Sequence, residues 1–141
     1  MPERRETARE ADVVEVTIPP KPEYVSVARL TAATVAARHS FTYDEIEDLK
    51  IAVSEACTAF IVRGTAGRPL TLRFAFEPDA LKIGIETGGP GVVLDAAPVA
   101  RQPMDERRLG VFLMQCLVDE VEVPTSGEGK AGLRLVKRRQ T

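Results

Sequence analysis

The sequence is organised around residues 44–59, which read DEIEDLKIAVSEACTA. Local signals predict that a long helix begins just after Thr42. The Thr42 hydroxyl can cap the first turn, and Glu45, three residues later, completes a capping box. Phe41 and Ile46 flank the cap and can form a hydrophobic staple. These signals agree, so the start of the helix is well defined by the sequence.

Both sides of this helix are largely apolar. One stripe at helical spacing contains Ile46, Leu49, Val53, Ala56, Cys57 and Phe60. The opposite side contains Ile51, Ala52, Glu55, Ala59 and Val62. A helix that is apolar on both sides is usually packed between layers or lines a cavity, so we expect water to cover neither side. The Glu55 carboxylate then lies on a mostly dry face, where burial without a partner is costly. It is either a solvated or capped side chain near an edge, or a group that faces a ligand cavity.

Length and composition predict a single soluble domain. The 141 residues are 44% hydrophobic and 28% charged, which suits one core and a hydrated surface. A net charge of −2 and the absence of Trp do not favour a nucleic-acid-binding surface, although a local basic patch is compatible with them. No apolar run approaches the length needed to span a membrane, and the charged N-terminus lacks the apolar core of a signal peptide. We therefore expect a cytoplasmic protein.

Cysteine and histidine residues do not indicate a metal site or a nucleophile. Cys57 and Cys116 lie on apolar stripes of predicted helices, so we expect both to be buried free thiols. His39 is the only histidine, and it ends a predicted helix, where a partial positive charge is tolerated. Its interpretation is structural rather than catalytic. Two isolated cysteines with one histidine do not favour zinc binding.

Hydrophobic periodicity predicts the remaining elements. Residues 1–11 are charged and expected to be disordered, residues 12–137 to form one domain, and residues 138–141 to be a tail. A strand is predicted from the alternation of Val14, Val16 and Ile18. A helix is predicted from Pro22 to about Arg38. Its expected buried face carries Tyr24, Val27, Ala28, Thr31 and Val35.

The second half of the chain predicts two hairpins separated by a long loop and a short helix. Alternating residues define strands at 70–76 and 81–85, with a turn between them. Residues 92–107 have no period and are expected to be a functional lid or disordered. The short helix is expected to bury Leu109, Phe112, Leu113, Cys116 and Leu117. A final hairpin is predicted at residues 121–123 and 133–136. This order of elements predicts a two-layer α/β sandwich: a mixed, mostly antiparallel sheet covered on one face by helices.

Several motifs in order resemble one family. Residues 45–58, together with KPEYVSVARL at residues 21–30, resemble the anti-sigma factor/serine kinase family of bacterial partner switches. Further along, Gly89-Pro90-Gly91, Leu109-Gly110 and residues 113–121 fall where that family has its glycine boxes and last helix. The resemblance covers roughly residues 12–137 and implies the histidine-kinase-like ATPase (Bergerat) fold. An ordered series of motifs is more specific than one short match.

The resemblance implies a damaged nucleotide site. In the family the central helix supplies a glutamate as general base and, four residues later, an asparagine that ligates magnesium; here Glu55 is kept but Ala59 replaces the asparagine. The family's adenine-binding aspartate corresponds to Thr87, followed by the retained Gly89 and Gly91. The resemblance therefore implies that Glu55 is the catalytic residue. No residue of this chain corresponds to the family's metal ligand.

The last glycine box in the family presents backbone amides to phosphates at a helix start. Here it reads Arg108-Leu109-Gly110, so that Gly110 survives and Arg108 replaces a glycine, although an arginine can itself pair with phosphate. Thr87, Gly89, Gly91 and Gly110 together are interpreted as a degenerate ATP site. We expect no cofactor, and Mg-ATP only if the pocket still works.

Three functions follow from these residues. The first, which the damaged nucleotide boxes favour, is a binding regulator that acts on a sigma factor or its antagonist by protein contacts and has lost most or all nucleotide chemistry. The second is an active ATP-dependent kinase that phosphorylates a serine of the antagonist. The third is an unrelated α/β domain with coincidental glycines, which the ordered motifs disfavour. Family resemblance also implies a homodimer, consistent with a first strand that lies at a sheet edge, and it places Arg29 on the surface that meets the partners.

Overall fold

The computed structural model describes residues 12–77, 79–88, 113–122 and 130–139. The strands in chain order are β1 (Asp12–Ile18), β2 (Leu70–Glu77), β3 (Ala80–Gly88), β4 (Glu120–Glu122) and β5 (Lys130–Arg138). Helices α1 (Val25–Arg38) and α2 (Tyr43–Arg63) lie between β1 and β2, and a 3₁₀ turn (Pro22–Tyr24) precedes α1. Residues 113–117 form a further helical turn. Among these segments no helix is long and apolar enough to cross a membrane.

The five strands form one sheet in the order β1-β2-β3-β5-β4. Every pairing among the described strands is antiparallel, so the sheet is not mixed in this part of the chain. The mostly antiparallel α/β sandwich predicted from the sequence is otherwise confirmed. β1 is an edge strand, as expected from its position at the start of the chain.

One face of the sheet is apolar and carries the helices. The register aligns Val14, Phe74, Ile83 and Leu135 in one row across four strands. Because side chains alternate along each strand, these rows direct one set of residues toward α1 and α2. That set forms the core with the inner faces of the helices: Ile18, Leu70, Leu72, Phe74, Leu81, Ile83, Ile85, Leu133 and Leu135.

The opposite face of the sheet is charged. Arg73 lies 3.4 Å from Glu15, and Arg134 lies 3.1 Å from Glu122. Both pairs are about half exposed, so each contributes little to stability. The main consequence of the alternation is therefore a sheet with one face in the core and one face in water.

The capping box that the sequence predicts opens helix α2. The Glu45 amide donates to Thr42 Oγ1 at 3.1 Å, and the Thr42 amide donates to Glu45 Oε1 at 2.7 Å. Glu45 is buried, and this reciprocal pair gives its carboxylate a backbone donor. At the other end Gly64 adopts φ 98°, a conformation that a side chain disfavours. The predicted start of α2 just after Thr42 is confirmed.

Helix α1 is rotated relative to the expected orientation. Its buried residues are Val25, Ala28, Ala32, Val35 and Ala36. The expected face included Tyr24 and Val27, which are 41% and 43% exposed, so that prediction was wrong for both. Alanines allow the helix to approach the sheet closely, and Tyr24 belongs to the separate 3₁₀ turn. The larger residues are therefore left on the outside.

A cluster around His39 joins the corner between α1 and α2 to one end of the sheet. The His39 ring stacks on Phe76, with ring centroids 3.9 Å apart, and its Nε2 lies 3.6 Å from Asp12 Oδ2. The Arg139 guanidinium donates to the His39 carbonyl at 3.1 Å and lies over the Phe76 ring. These contacts give His39 a structural role in packing.

The helical turn at residues 113–117 also differs from the expected orientation. Met114 and Val118 are buried, whereas Leu113 and Cys116 are exposed. The expectation of a buried Cys116 was therefore wrong, because the described turn packs the side that carries Met114 and Val118 into the core and leaves the side of Leu113 and Cys116 in solvent. Its C-terminal end is held by Lys137, whose Nζ donates to the Leu117 carbonyl at 2.8 Å.

Candidate functional site

Helix α2 presents two functionally different sides. Asp48, Glu55 and Ala59 share one side at helical spacing, and Asp48 Oδ2 lies 3.6 Å from Lys137 Nζ on β5. Glu55 is half-buried there. The expectation that this side is dry was wrong, because Ile51 is 47% and Val62 is 68% exposed. The Glu55 carboxylate therefore borders solvent rather than a closed cavity.

Ala59 provides no ligand for a magnesium ion. It is half-buried one turn after Glu55, and its methyl group has no oxygen atom. Mg²⁺ requires near-octahedral oxygen coordination. Among the described residues no cluster of three or more His, Cys, Asp or Glu side chains could hold a metal ion. This part of the site does not fit the magnesium that the resemblance implies.

Thr87 is a buried residue near the end of β3. It is 4% exposed, and its Oγ1 donates to the Pro69 carbonyl at 2.9 Å. It continues the alternation of Ile83 and Ile85 and so points to the helix side of the sheet. An aspartate at this position would offer two acceptor oxygens to a base. The threonine hydroxyl instead has its proton committed to an internal carbonyl.

The glycine boxes lie outside the described residues. β3 ends at Gly88, and Gly89, Gly91 and Gly110 fall beyond the described segments, as do Arg108 and the predicted lid at residues 92–107. The structure therefore places Glu55, Ala59 and Thr87 of the predicted nucleotide site.

Arg29 lies where α1 meets α2, on the side of α2 away from Asp48. Its Nη1 donates to Ser54 Oγ at 3.4 Å, and Ser54 Oγ donates to the Lys50 carbonyl at 2.8 Å. The prediction that Arg29 points away from the core is consistent with its half-buried position at the seam. The sequence analysis did not identify Ser54 as the partner of Arg29. A serine in the middle of a largely apolar helix was the signal that could have indicated such a contact.

Two pKa shifts bear on the chemistry. Burial raises the pKa of the Cys57 thiol to about 12, so this cysteine is protonated at neutral pH and is not a nucleophile. On the charged face of the sheet, the hydrogen bond from Arg138 lowers the pKa of Glu120. Cys57 is buried in the core and Glu120 lies on the charged face of the sheet, so neither group belongs to the Glu55 side of α2.

Comparison with known proteins gives a consistent result. Residues 18–137 match the histidine kinase-like ATPase domain family. The serine-protein kinase RsbW of Bacillus subtilis (strain 168) is 38% identical over 125 residues, covering 80% of this chain and 78% of the relative. RsbW of Bacillus pumilus (strain SAFR-032) is 40% identical over 126 residues, covering 79% of this chain and 78% of the relative.

Solved structures have the same fold. One is the structure of the RsbU and RsbW domains of a Mycobacterium tuberculosis protein, with a TM-score of 0.63 and 16% identity; the match covers 91% of this chain and 32% of that one. Another is the SiaB–SiaC complex of Pseudomonas aeruginosa, with a TM-score of 0.62 and 12% identity, covering 94% of this chain and 93% of that one. On fold, family match and identity, the chain belongs to the histidine kinase-like ATPase family, in its group of anti-sigma factor/serine-protein kinases of bacterial partner switches.

Proposed function

We propose that this chain is a partner-switch regulator that acts by binding proteins, and that it has lost ATP binding and kinase activity. The hydrogen bond from Thr87 to the Pro69 carbonyl carries this proposal. It leaves a buried hydroxyl, already used as a donor, at the position where the family has an adenine-binding carboxylate. Ala59 removes a second contact, because a methyl group cannot replace a metal-ligating carboxamide oxygen.

The two lost contacts, at Thr87 and at Ala59, are large enough to weaken Mg-ATP binding strongly. A hydrogen bond to a charged group contributes about 1.5–3 kcal/mol, or roughly tenfold to a hundredfold in affinity. This loss of affinity is expected where Thr87 replaces the family's adenine-binding aspartate. Losing a protein ligand to the metal at Ala59 weakens the same complex further. The two effects act on different parts of one ligand, so they add approximately.

The proposed partners are a sigma factor, its antagonist, or both. The match to RsbW proteins supports this class of partner. Arg29 supports a binding surface on α1, because the exposed part of the same helix also carries two large apolar residues, Val27 and Leu30, which are 43% and 57% exposed. Arginine is among the residues enriched at interface hot spots.

A homodimer is part of the proposal. β1 pairs with β2 on one side only, so its other edge presents unpaired backbone groups in the sheet order given above. Val13 and Val14 on this strand are 43% and 40% exposed. An exposed edge with apolar side chains can pair with its copy.

The alternative function is an active ATP-dependent serine kinase. Two observations favour it: the relatives are named serine-protein kinases, and Glu55 is kept in a position that borders solvent. A general base needs access to the hydroxyl that it deprotonates, and the half-buried position of Glu55 provides that access.

Calorimetric titration with Mg-ATP separates the two functions. We expect wild-type protein to show no binding in the low micromolar range, and the double variant Ala59→Asn/Thr87→Asp to bind at least about tenfold more tightly than wild type. Thr58→Asn is the matched control, because it adds a carboxamide to an exposed position of the same helix. Low-micromolar binding by wild type would contradict the proposed loss of ATP binding and would favour the kinase alternative. Thermal stabilisation by Mg-ATP gives an independent readout.

A further inference from the structure

An open groove lies on the outer surface of the helical layer, where the C-terminal half of α1 meets the first turns of α2. It has a volume of about 620 Å³. Its lining residues are Ala33, Thr34, Ala37, Arg38 and Ile46. The groove is near the end of α1 opposite to Arg29. It also lies on the α1 side of α2, whereas Asp48 on the opposite side of α2 faces β5.

The shape of the groove follows from small side chains. Ala33 and Ala37 are one turn apart on α1, and neither extends beyond its first carbon. Ile46 of α2 is half-buried and forms an apolar wall. An open groove between two helices suits apolar side chains from a third helix, which recur at positions i, i+3, i+4 and i+7.

The charge around the groove is asymmetric. On the α2 rim, Lys50 is neutralised by Glu47 at 3.1 Å. On the α1 rim, Arg38 is exposed and pairs with no residue in the described part of the chain. Helix α1 contains two arginines and no acidic residue. A cation in the last turn of a helix also interacts well with the helix dipole, which explains an arginine there but not the apolar groove beside it.

We propose that this groove binds an amphipathic helix of a protein partner, with apolar side chains against Ala37 and Ile46 and an acidic residue paired with Arg38. The inference deepens the proposed function and rests on it, because it takes the ligand to be a protein. Charge complementarity selects an acidic helix. Direct pairing of α1 with α1 of a second copy would bring arginines together, because α1 contains no acidic residue.

The probe is a synthetic amphipathic helical peptide of about 16 residues, long enough for four anchors on one face, with leucines on that face and glutamates beside it. A second peptide has every glutamate replaced by lysine. Each is titrated into the isotope-labelled full chain and followed by two-dimensional NMR. We expect the acidic peptide to shift amide signals at the groove, and the lysine peptide to bind about tenfold more weakly or less.

Three variants test the site. We expect Ala37→Leu, which fills the groove, to weaken binding of the acidic peptide by about tenfold. Arg38→Gln removes one exposed charge and should weaken binding by about threefold to fivefold. Arg73→Gln changes the net charge by the same amount as Arg38→Gln, but on the opposite face of the sheet, and should leave the affinity within about twofold. All three positions are exposed, so circular dichroism should be unchanged.

Specific results would overturn the inference. These are signals that shift on the sheet face instead of the groove, equal binding of the two peptides, or equal effects of Arg38→Gln and Arg73→Gln. If Ala37→Leu converts a dimer into a monomer, the groove is an interface between copies and the inference is wrong. Mg-ATP titration and the Arg29→Ala variant report on the proposed function separately, so either proposal can fail while the other holds.

Discussion

Replacing Thr87 by valine removes one hydroxyl and keeps the shape of the side chain. Thr87 is 4% exposed, and its Oγ1 is 2.9 Å from the Pro69 carbonyl oxygen. In the variant the Pro69 carbonyl loses the hydrogen bond from residue 87 and faces a methyl group instead. A buried polar group left unsatisfied costs about 1–3 kcal/mol, and this is an upper limit for the Pro69 carbonyl because Pro69 is an exposed residue. The added methyl group recovers at most about 0.8 kcal/mol. With that recovery subtracted, we expect Thr87→Val to lower the free energy of unfolding by about 0.2–2 kcal/mol.

Urea unfolding followed by circular dichroism measures this change. The denaturant midpoint should fall while the slope m stays constant, because the surface exposed on unfolding is the same. Thr71→Val is the matched control. Thr71 is on the adjacent strand, and its hydroxyl makes an exposed, long contact of 3.3 Å with Thr17. Its substitution should change stability by no more than about 0.5 kcal/mol.

Equal costs for the two valine variants would refute this reasoning. They would mean that the Thr87 hydroxyl is not held by Pro69 in solution. The threonine could then turn toward a ligand, and the main argument for a lost nucleotide site would fail.

Three further outcomes are expected. Arg29→Ala should weaken binding of the protein partner, identified by pull-down from a cell lysate, by roughly 2 kcal/mol or more, and Mg-ATP should leave the wild-type affinity unchanged. A variant that binds like wild type would remove Arg29 from the interface. Sedimentation at tens of micromolar should detect a dimer, and a 15.4 kDa monomer alone would contradict pairing through β1. An aromatic disulfide reagent at pH 8 should react rapidly with the exposed Cys116 and with the buried Cys57 only on unfolding. Burial raises the pKa of Cys57 from 9.0 to about 12. The contribution of the protonated Cys57 thiol to stability is therefore fully present below pH 9 and is lost as the pH rises toward 12.

The sequence predicted the elements well where local chemistry is strong. The start of α2 was predicted from the reciprocal signals of Thr42 and Glu45, and both of their hydrogen bonds are present. The hairpin of β2 and β3 was predicted from strict alternation, which leaves one register that buries the apolar set. In each case the information lies within a few residues of the feature.

Helix orientation and the contacts of the site could not be predicted in the same way. α1 is apolar or small around most of its circumference, so hydrophobicity alone did not select Ala32 over Val27 for the core. Packing against the sheet made that choice, because small residues allow close approach. The Thr87–Pro69 bond joins residues that are 18 positions apart, and the Arg29–Ser54 bond joins residues that are 25 apart. Such pairs arise only when the elements have assembled.

The cluster around His39 has a consequence for how the chain could be reconnected. Asp12 and Lys137 lie in one row of the sheet, through Phe76 and Leu81, and are three strand spacings or roughly 14 Å apart. About five extended residues can span that distance. A designed linker of that length between β5 and β1, combined with a break at the exposed turn of Ala66 and Gly67, would give a circularly permuted domain. The fold is therefore suited to circular permutation, and to insertion as a module into a larger protein through two neighbouring connections.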